Sequence, residues 1–449
     1  MNHLFTRLQQ QSTKKILLLL LVAIGGLAGC RKESGLHREI PPSYYSSDVI
    51  DKWMTLEIRL FTKATSILNG AFARPFAYSG ICAYESIDPG LASWKNKYNG
   101  LSGLPETEAF KKYQWPASVN ASLAEFNRLF FTSSNSKPID LAAIDSLENA
   151  INSGFSSVGA DELNRSNGFG KSIADAVFAW SKTDNYDINN ALPYTWPVGL
   201  GLWEPTPPAL AKPQGPFWSN DRPIIAGSDN NAQSPPPVPY SEDPNSAFYK
   251  MVNDLYTASK TLTTDQQNWA LFWRDIPGVT TPGHWMSIIQ QVIRQTNSRL
   301  DKAALTFAMV GICLNDGVIS VFKTKYVYNE LRPVTYIRKV FGDASWLSFI
   351  PTPAHPEYPS AHSVVSAAAA EALTAIYGNI GPFTDHTWDY LGFPTRTFNT
   401  FRAIGVDAGN SRFYGGIHYQ PSIDAGLKQG RTVGKNIVES LLQFPDFKK

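Results

Sequence analysis

Apolar positions along this chain recur at helical spacing almost everywhere. From Ser47 the run SDVIDKWMTLEIRLFTKATSIL carries Ile50, Trp53, Met54, Leu56 and Leu60, largely at three- and four-residue steps, behind a serine and an aspartate that suit a helix start. The runs PIDLAAIDSLENAI, with proline near its beginning, and GKSIADAVFAWSK read the same way. After Asn245 the pattern resumes in SAFYKMVNDLYTAS, DQQNWALFWRD and PGHWMSIIQQVIRQT. The next run, LDKAALTFAMVGICLNDGVISVFKTKYVY, is apolar nearly all round and too long for a strand, which predicts a central buried helix. No series alternates with a period of two, and no internal repeat stands out. The expectation is an all-α fold: two helical bundles, residues 47–300 and 301–449, packed as one large domain.

Two segments depart from this pattern. Residues 185–243 concentrate proline, glycine and tryptophan, as in LPYTWPVGLGLWEPTPPALAKPQGPFW and SPPPVPY. A disordered linker would lack the aromatics, so a long loop packed on the helices and rimming a pocket is expected. At the other end, Lys14 and Lys15 precede an apolar run from Ile16 to Ala28 that is short for a membrane span and ends in small residues, the form of a signal peptide over residues 1–29. Residues 30–46 then read as a tether.

With 449 residues, 43% of them hydrophobic, the chain is long enough to bury a large core. Its net charge of +2, from 40 basic and 38 acidic residues, supplies no electrostatic ground for a nucleic-acid partner. Beyond Cys30 only Cys82 and Cys313 remain, each in apolar surroundings, and two cysteines do not define a disulfide framework.

The chemistry gathers in the last third. Lys325 and Arg332, in KTKYVYNELRP, lie seven residues apart, so both would project from one helical face if the buried helix persisted to Pro333 and ended there. In PAHPEYPSAH, His355 and His362 flank Ser360, which opens the strongly helical SAHSVVSAAAAEALTAIY. A hydroxyl, free first-turn amides and the positive end of the helix dipole make an oxyanion site there, with the Ala361 amide and the His362 ring at hand. In GNSRFYGGIHYQPSIDAG, Ser411 and Arg412 precede His418, and Asp424 follows, placed to accept one ring N–H of His418. One lysine, two arginines, a serine, amides and two histidines suit a tetrahedral oxyanion, whereas no carboxylate cluster points to a hard divalent cation. His284 in PGHW and His386 in FTDHTWDY read as structural.

These three pieces resemble the motifs Lys-x6-Arg-Pro, Pro-Ser-Gly-His and Ser-Arg-x5-His-x3-Asp of the superfamily that joins vanadium-dependent haloperoxidases, bacterial acid phosphatases and type 2 phosphatidic acid phosphatases. The resemblance implies that Lys325, Arg332, Ser360, the Ala361 amide and Arg412 hold the oxygens of vanadate or phosphate. It implies His418 as vanadium ligand or phosphate-attacking nucleophile and His362 as acid/base. His355 falls where bromoperoxidases of the family carry a second active-site histidine, and Phe322 where many carry tryptophan, which favours bromide or iodide. Ala361 replaces a glycine, and five residues rather than three separate His418 from Asp424. The residues LAGC, ending in Cys30, resemble the lipobox of bacterial lipoproteins, which implies acylation of Cys30 and anchoring in the cell envelope outside the cytoplasm.

Three functions compete. The first is a vanadate-dependent haloperoxidase that oxidises halide with hydrogen peroxide, favoured by the long helical region ahead of the first motif. The second is a metal-free acid phosphatase, and the third a noncatalytic lipoprotein that keeps the fold.

Overall fold

The computed structural model describes residues 40–65, 67, 69–91, 98–276 and 280–442. Among these it contains fourteen α-helices and one short pair of antiparallel strands, an all-α fold as the spacing predicts. The expected signal segment, Cys30 and most of the tether lie outside the described residues. The end of the expected tether does not: Pro42–Tyr44 form a 3-10 turn with Pro42 buried, and Ser46 bridges to Arg299. The fold therefore begins ahead of Ser47.

The first five helices are α1 (Asp48–Lys63), α2 (Ala73–Glu85), α3 (Trp115–Phe130), α4 (Pro138–Ser153) and α5 (Ala160–Ser181). The face of α1 that is buried carries Ile50, Trp53, Met54, Leu56 and Leu60, the residues whose spacing indicated the helix. After the short α6 (Tyr186–Ala191) come α7 (Ala247–Ser259), α8 (Thr264–Phe272), α9 (Thr281–Gln295) and α10 (Leu300–Tyr328). The chain closes with α11 (Pro333–Lys339), α12 (Ala361–Tyr377), α13 (Phe401–Tyr414) and α14 (Gln420–Leu441).

Helix α10 is the one helix among the described residues long and apolar enough to cross a membrane, and the protein covers it completely. It packs on α2 along one side and on α12 along another. Glycines bring the backbones together, since a Cβ at Gly80 would lie 2.7 Å from the Phe307 carbonyl and one at Gly311 2.8 Å from the Ala77 Cα. The boundary drawn at residue 300 thus falls at the start of a helix that both halves share, and the chain from Pro41 onward is one compact unit. Cys82 on α2 and Cys313 on α10 are buried free thiols.

The proline-rich segment packs as expected. Trp203, Trp218, Ile224 and Ile225 are buried. The carboxylate of Asp316, inside α10, accepts from the Ile224 and Ile225 amides at 2.8 and 3.0 Å and so pins the loop to the core. The strand pair β1 (Phe383–Asp385) and β2 (Arg396–Phe398) aligns Phe383 with Phe398. Three residues per strand are too few to leave an alternating signature in the sequence.

One expectation needs correction. Helix α10 does not run to Pro333: it ends at Tyr328, where Asn329 takes a left-handed conformation at φ 50°, which asparagine tolerates. Pro333 instead opens α11, with Arg332 as the residue before the helix. Lys325 and Arg332 therefore do not share one helical face; the reversal at Asn329 carries the chain back and sets Arg332 beside the loop of His355.

Candidate active site

Ser360 caps the start of α12, its hydroxyl accepting from the Ser363 amide at 3.4 Å. The first-turn amides of Ala361 and His362 have no helical acceptor. They open on a cavity of about 280 Å³ whose wall includes Ala361, His362, His355, Arg412 and His418, together with Ala211 and Gln214 from the proline-rich loop. Ala361 is not among the residues of positive φ, so its methyl group costs no backbone strain where the resembling motif has glycine.

Ser360 is held from below by α14. A Cβ at Gly426 would lie 2.7 Å from the Ser360 carbonyl oxygen, one at Gly430 2.0 Å from that of Val364, and one at Gly434 2.8 Å from that of Ala368. Glycine at every fourth position gives α14 a bare stripe on which the alanine-rich α12 lies at backbone distance. That spacing is visible in GLKQGRTVG and was not used in the motif reading.

The cations are buried and bound mainly to neutral carbonyls. Lys325, with no exposed surface, donates to the carbonyls of Pro356 (2.8 Å) and Glu357 (2.9 Å). Arg332, equally buried, donates from Nε to the His355 carbonyl at 2.8 Å and from Nη1 to that of Ile417 at 2.8 Å. Arg412 donates to the Ser411 hydroxyl at 3.0 Å and the Ala270 carbonyl at 2.9 Å. Carbonyls satisfy hydrogen bonds without cancelling charge. Burial, reinforced by the neighbouring Arg332, pushes the Lys325 ammonium well below its usual range, and burial lowers Arg332 and Arg412 to about 10. An anion placed among them would reverse these shifts, so the donor set fits a tetrahedral oxyanion such as vanadate or phosphate.

His418 sits just after a tight turn in which Gly416 adopts φ 75°. Its Nδ1 donates to Glu357 Oε1 at 2.8 Å, and Arg332 Nη1 donates to its Nε2 at 3.2 Å. The carboxylate thereby fixes the tautomer that leaves an unprotonated Nε2 among the cations. Burial, then Arg332 and Lys325, hold the ring neutral by lowering it well below the ordinary histidine range.

Glu357 is the functional residue that motif reasoning missed. Asp424, expected to orient His418, is exposed and accepts from Gln420 instead. Ser422, four residues after His418 and thus at the position that the x3 spacing of the motif gives to its aspartate, lies 3.4 Å from Nδ1. Glu357 has no exposed surface and also accepts from the Tyr419 amide at 2.9 Å. Glu330, whose carbonyl accepts from the Glu357 amide at 2.9 Å, is pushed well above the carboxylate range by burial and by the Glu357 charge. The clue in the sequence was a glutamate inside a proline-bounded histidine loop.

On the opposite side His362 Nε2 lies 3.0 Å from the Trp273 carbonyl, 3.3 Å from Arg412 Nη1 and 3.6 Å from Asp275. Burial and then Arg412 lower this ring to about 4, so it is neutral above that pH. His355 is buried, with Nδ1 accepting from Arg332 Nη2 at 3.0 Å and its ring 5.2 Å from that of Phe322. His284 does not line the cavity: it pairs with Asp385 at 2.7 Å and stacks on Trp273, centroids 4.2 Å apart, which steadies the carbonyl that holds His362. His386 is exposed beside Asp389.

Residues 305–446 match the family model described as the VCPO second helical-bundle domain. No curated protein sequence matches the chain significantly. Among solved structures, that of a bacterial vanadium-dependent iodoperoxidase superposes with a TM-score of 0.80 at 29% identity, over 90% of this chain and 98% of the other. The holo and apo forms of a bacterial vanadium-dependent chloroperoxidase superpose with TM-scores of 0.66 and 0.64, at 15% and 14% identity. They cover 83% and 84% of this chain and 92% and 94% of their own, a likeness of fold.

Proposed function

Starting from the vanadium haloperoxidase superfamily, with which both the matched C-terminal region and the whole-chain fold agree, we propose that this protein is a vanadate-dependent haloperoxidase that oxidises iodide or bromide with hydrogen peroxide. One observation carries the reading: two buried cations held by neutral carbonyls, Lys325 and Arg332, stand by a neutral histidine, His418, whose Nδ1 is bonded to Glu357 so that Nε2 faces Arg332, and a third, Arg412, lies 3.3 Å from His362.

Lys325, Arg332, Arg412, Ser360 and the Ala361 amide would hold the oxygens of vanadate, and His418 Nε2 would be its protein ligand. When bound, vanadate supplies Lewis-acid activation of peroxide with no need to change oxidation state. His418 is prepared for this role without a protonation step, because its ring is already neutral. His362 is neutral too and stands as a base for a peroxide proton, with the Trp273 carbonyl fixing its ring. Aliphatic and aromatic side chains, among them Val318, Phe322, Val365 and Ile350, line the rest of the cavity and limit competing water. His355 beside Arg332 and Phe322 favours the softer halides in this reading.

A metal-free phosphatase would use the same residues, with His418 as nucleophile. The likeness over 90% of the chain to an iodoperoxidase favours halide oxidation. The test takes the protein from residue 31 onward and measures iodide- and bromide-dependent peroxide consumption with and without vanadate, beside phosphomonoester hydrolysis. Vanadate-dependent halide oxidation that disappears in His418→Ala is the expected result. Hydrolysis that vanadate inhibits, without halide oxidation, would overturn it.

A further inference from the structure

The cavity holds more charge than the oxyanion cradle needs. Of the charged side chains on its wall, Arg412 is engaged by Ala270 and Ser411. Asp275 accepts from the Thr281 amide and hydroxyl at 2.9 and 3.2 Å and approaches His362. Arg274 is different. Its side chain is half-buried at the cavity, its guanidinium lies 5.7 Å from the Phe393 ring, and no carboxylate pairs with it among the described residues. The wall it shares is otherwise largely apolar, with Val318, Phe322 and Ile350.

A cation set in an apolar wall selects among anions by their hydration. A small, strongly hydrated anion loses too much solvation there, whereas a large polarisable one loses little and keeps the attraction to the guanidinium, itself weakly hydrated. Iodide and bromide are anions of that kind. Resting on the haloperoxidase reading, we infer that Arg274 forms an anion-receiving site at the cavity wall that captures halide ahead of the oxyanion cradle. It acts on capture rather than on the chemistry at the cradle, so its contribution belongs to kcat/KM for halide and not to kcat or to the peroxide KM.

The test uses wild type, Arg274→Gln and Arg274→Lys, each loaded with vanadate. Crystals soaked in iodide are examined for an anomalous peak at residue 274, and iodide kinetics are measured at low and high ionic strength. An iodide peak beside Arg274 that is missing in Arg274→Gln is expected. So is a fall of about tenfold in kcat/KM for iodide at low salt, shrinking at high salt as screening removes the wild-type advantage. Arg274→Lys should recover most of the loss, and vanadate affinity should stay at the wild-type value in all three. No peak in wild type overturns the inference whether or not the enzyme oxidises iodide. A peak without any kinetic effect in an active enzyme also overturns it and marks an adventitious ion only. A peak lost in Arg274→Gln in a protein that oxidises no halide keeps the anion site and sinks the haloperoxidase reading instead.

Discussion

Glu357 and Asp424 present a choice that single substitutions can decide. Both are carboxylates near His418 in sequence or in space, yet only Glu357 touches its Nδ1, at 2.8 Å, while Asp424 bonds to Gln420 at the surface. Glu357→Ala leaves a buried N–H without its acceptor and frees the ring to rotate, so vanadate affinity should fall by about 10- to 100-fold. Glu357→Gln keeps an oxygen for Nδ1 and for the Tyr419 amide and should lose much less. Asp424→Asn should leave affinity and turnover near wild type. Calorimetric titration with vanadate beside steady-state kinetics measures all three, and an Asp424→Asn defect matching that of Glu357→Ala would restore the motif aspartate to its expected role. Ala361 makes the complementary point: the departure from glycine is harmless because the helix start needs no positive φ there.

The precision of the cradle is set by how two helices pack. Ser360 and the free amides belong to α12, and α12 is seated on the glycine stripe of α14. At Gly430 an added methyl would meet the Val364 carbonyl at 2.0 Å, a distance that only backbone movement can relieve. Gly430→Ala should therefore destabilise the fold by about 1–3 kcal/mol and also depress activity, since the displaced turn carries Ser360 and His362. Urea unfolding and kinetics on the same sample check this; full activity with unchanged stability would show that α14 yields without moving α12. Behind the cavity wall, α9 contributes His284, whose pairing with Asp385 and stacking on Trp273 hold the loop that carries Trp273, Arg274 and Asp275.

Taken as a whole, the molecule buries titratable groups of opposite tendency, and the sign of its pH response follows. Burial raises Glu57 to about 7, Asp221 to about 7 and Asp316 to about 6. Such groups bind more protons folded than unfolded, so the stability they allow is present below the unfolded carboxylate range and is lost as pH rises through 6 to 7. His355, His362 and His418 are lowered by burial, which removes stability as pH falls below about 6.5. The two sets offset each other in mild acid, and above pH 6.5 the contribution of the histidines no longer changes with pH. Glu57 accepts from Ser79 and Asn127 through one oxygen while its other has no partner among the described residues. Glu57→Gln keeps both bonds and removes the ionisation, so the variant should exceed wild type by on the order of 2–3 kcal/mol at pH 8 and match it near pH 5. Urea unfolding at the two pH values measures the difference; equal curves at pH 8 would mean that Glu57 stays protonated there.

Much of this protein was legible in one dimension because the determining interactions are local or periodic. Helical spacing gave away α1, α4, α5 and α10, aromatic content marked the proline-rich segment as packed, and the residue types around Lys325, Ser360 and Arg412 raised the proposal of an anion site. The tertiary structure decided what depends on distances between remote segments. The end of α10 at Asn329 could not be read, because the apolar pattern runs on past it while the backbone reversal is set by one asparagine. The partner of His418 could not be read either: Glu357 lies 61 positions away along the chain, and only the stacking of α12 on α14 brings its loop to the histidine. Arg274 likewise acquires its meaning from the cavity it faces, since neighbouring sequence says nothing about which carboxylates remain free to pair with it. Side-chain chemistry is carried by the sequence residue by residue; charge balance and hydrogen-bond partnership are properties of the packed molecule.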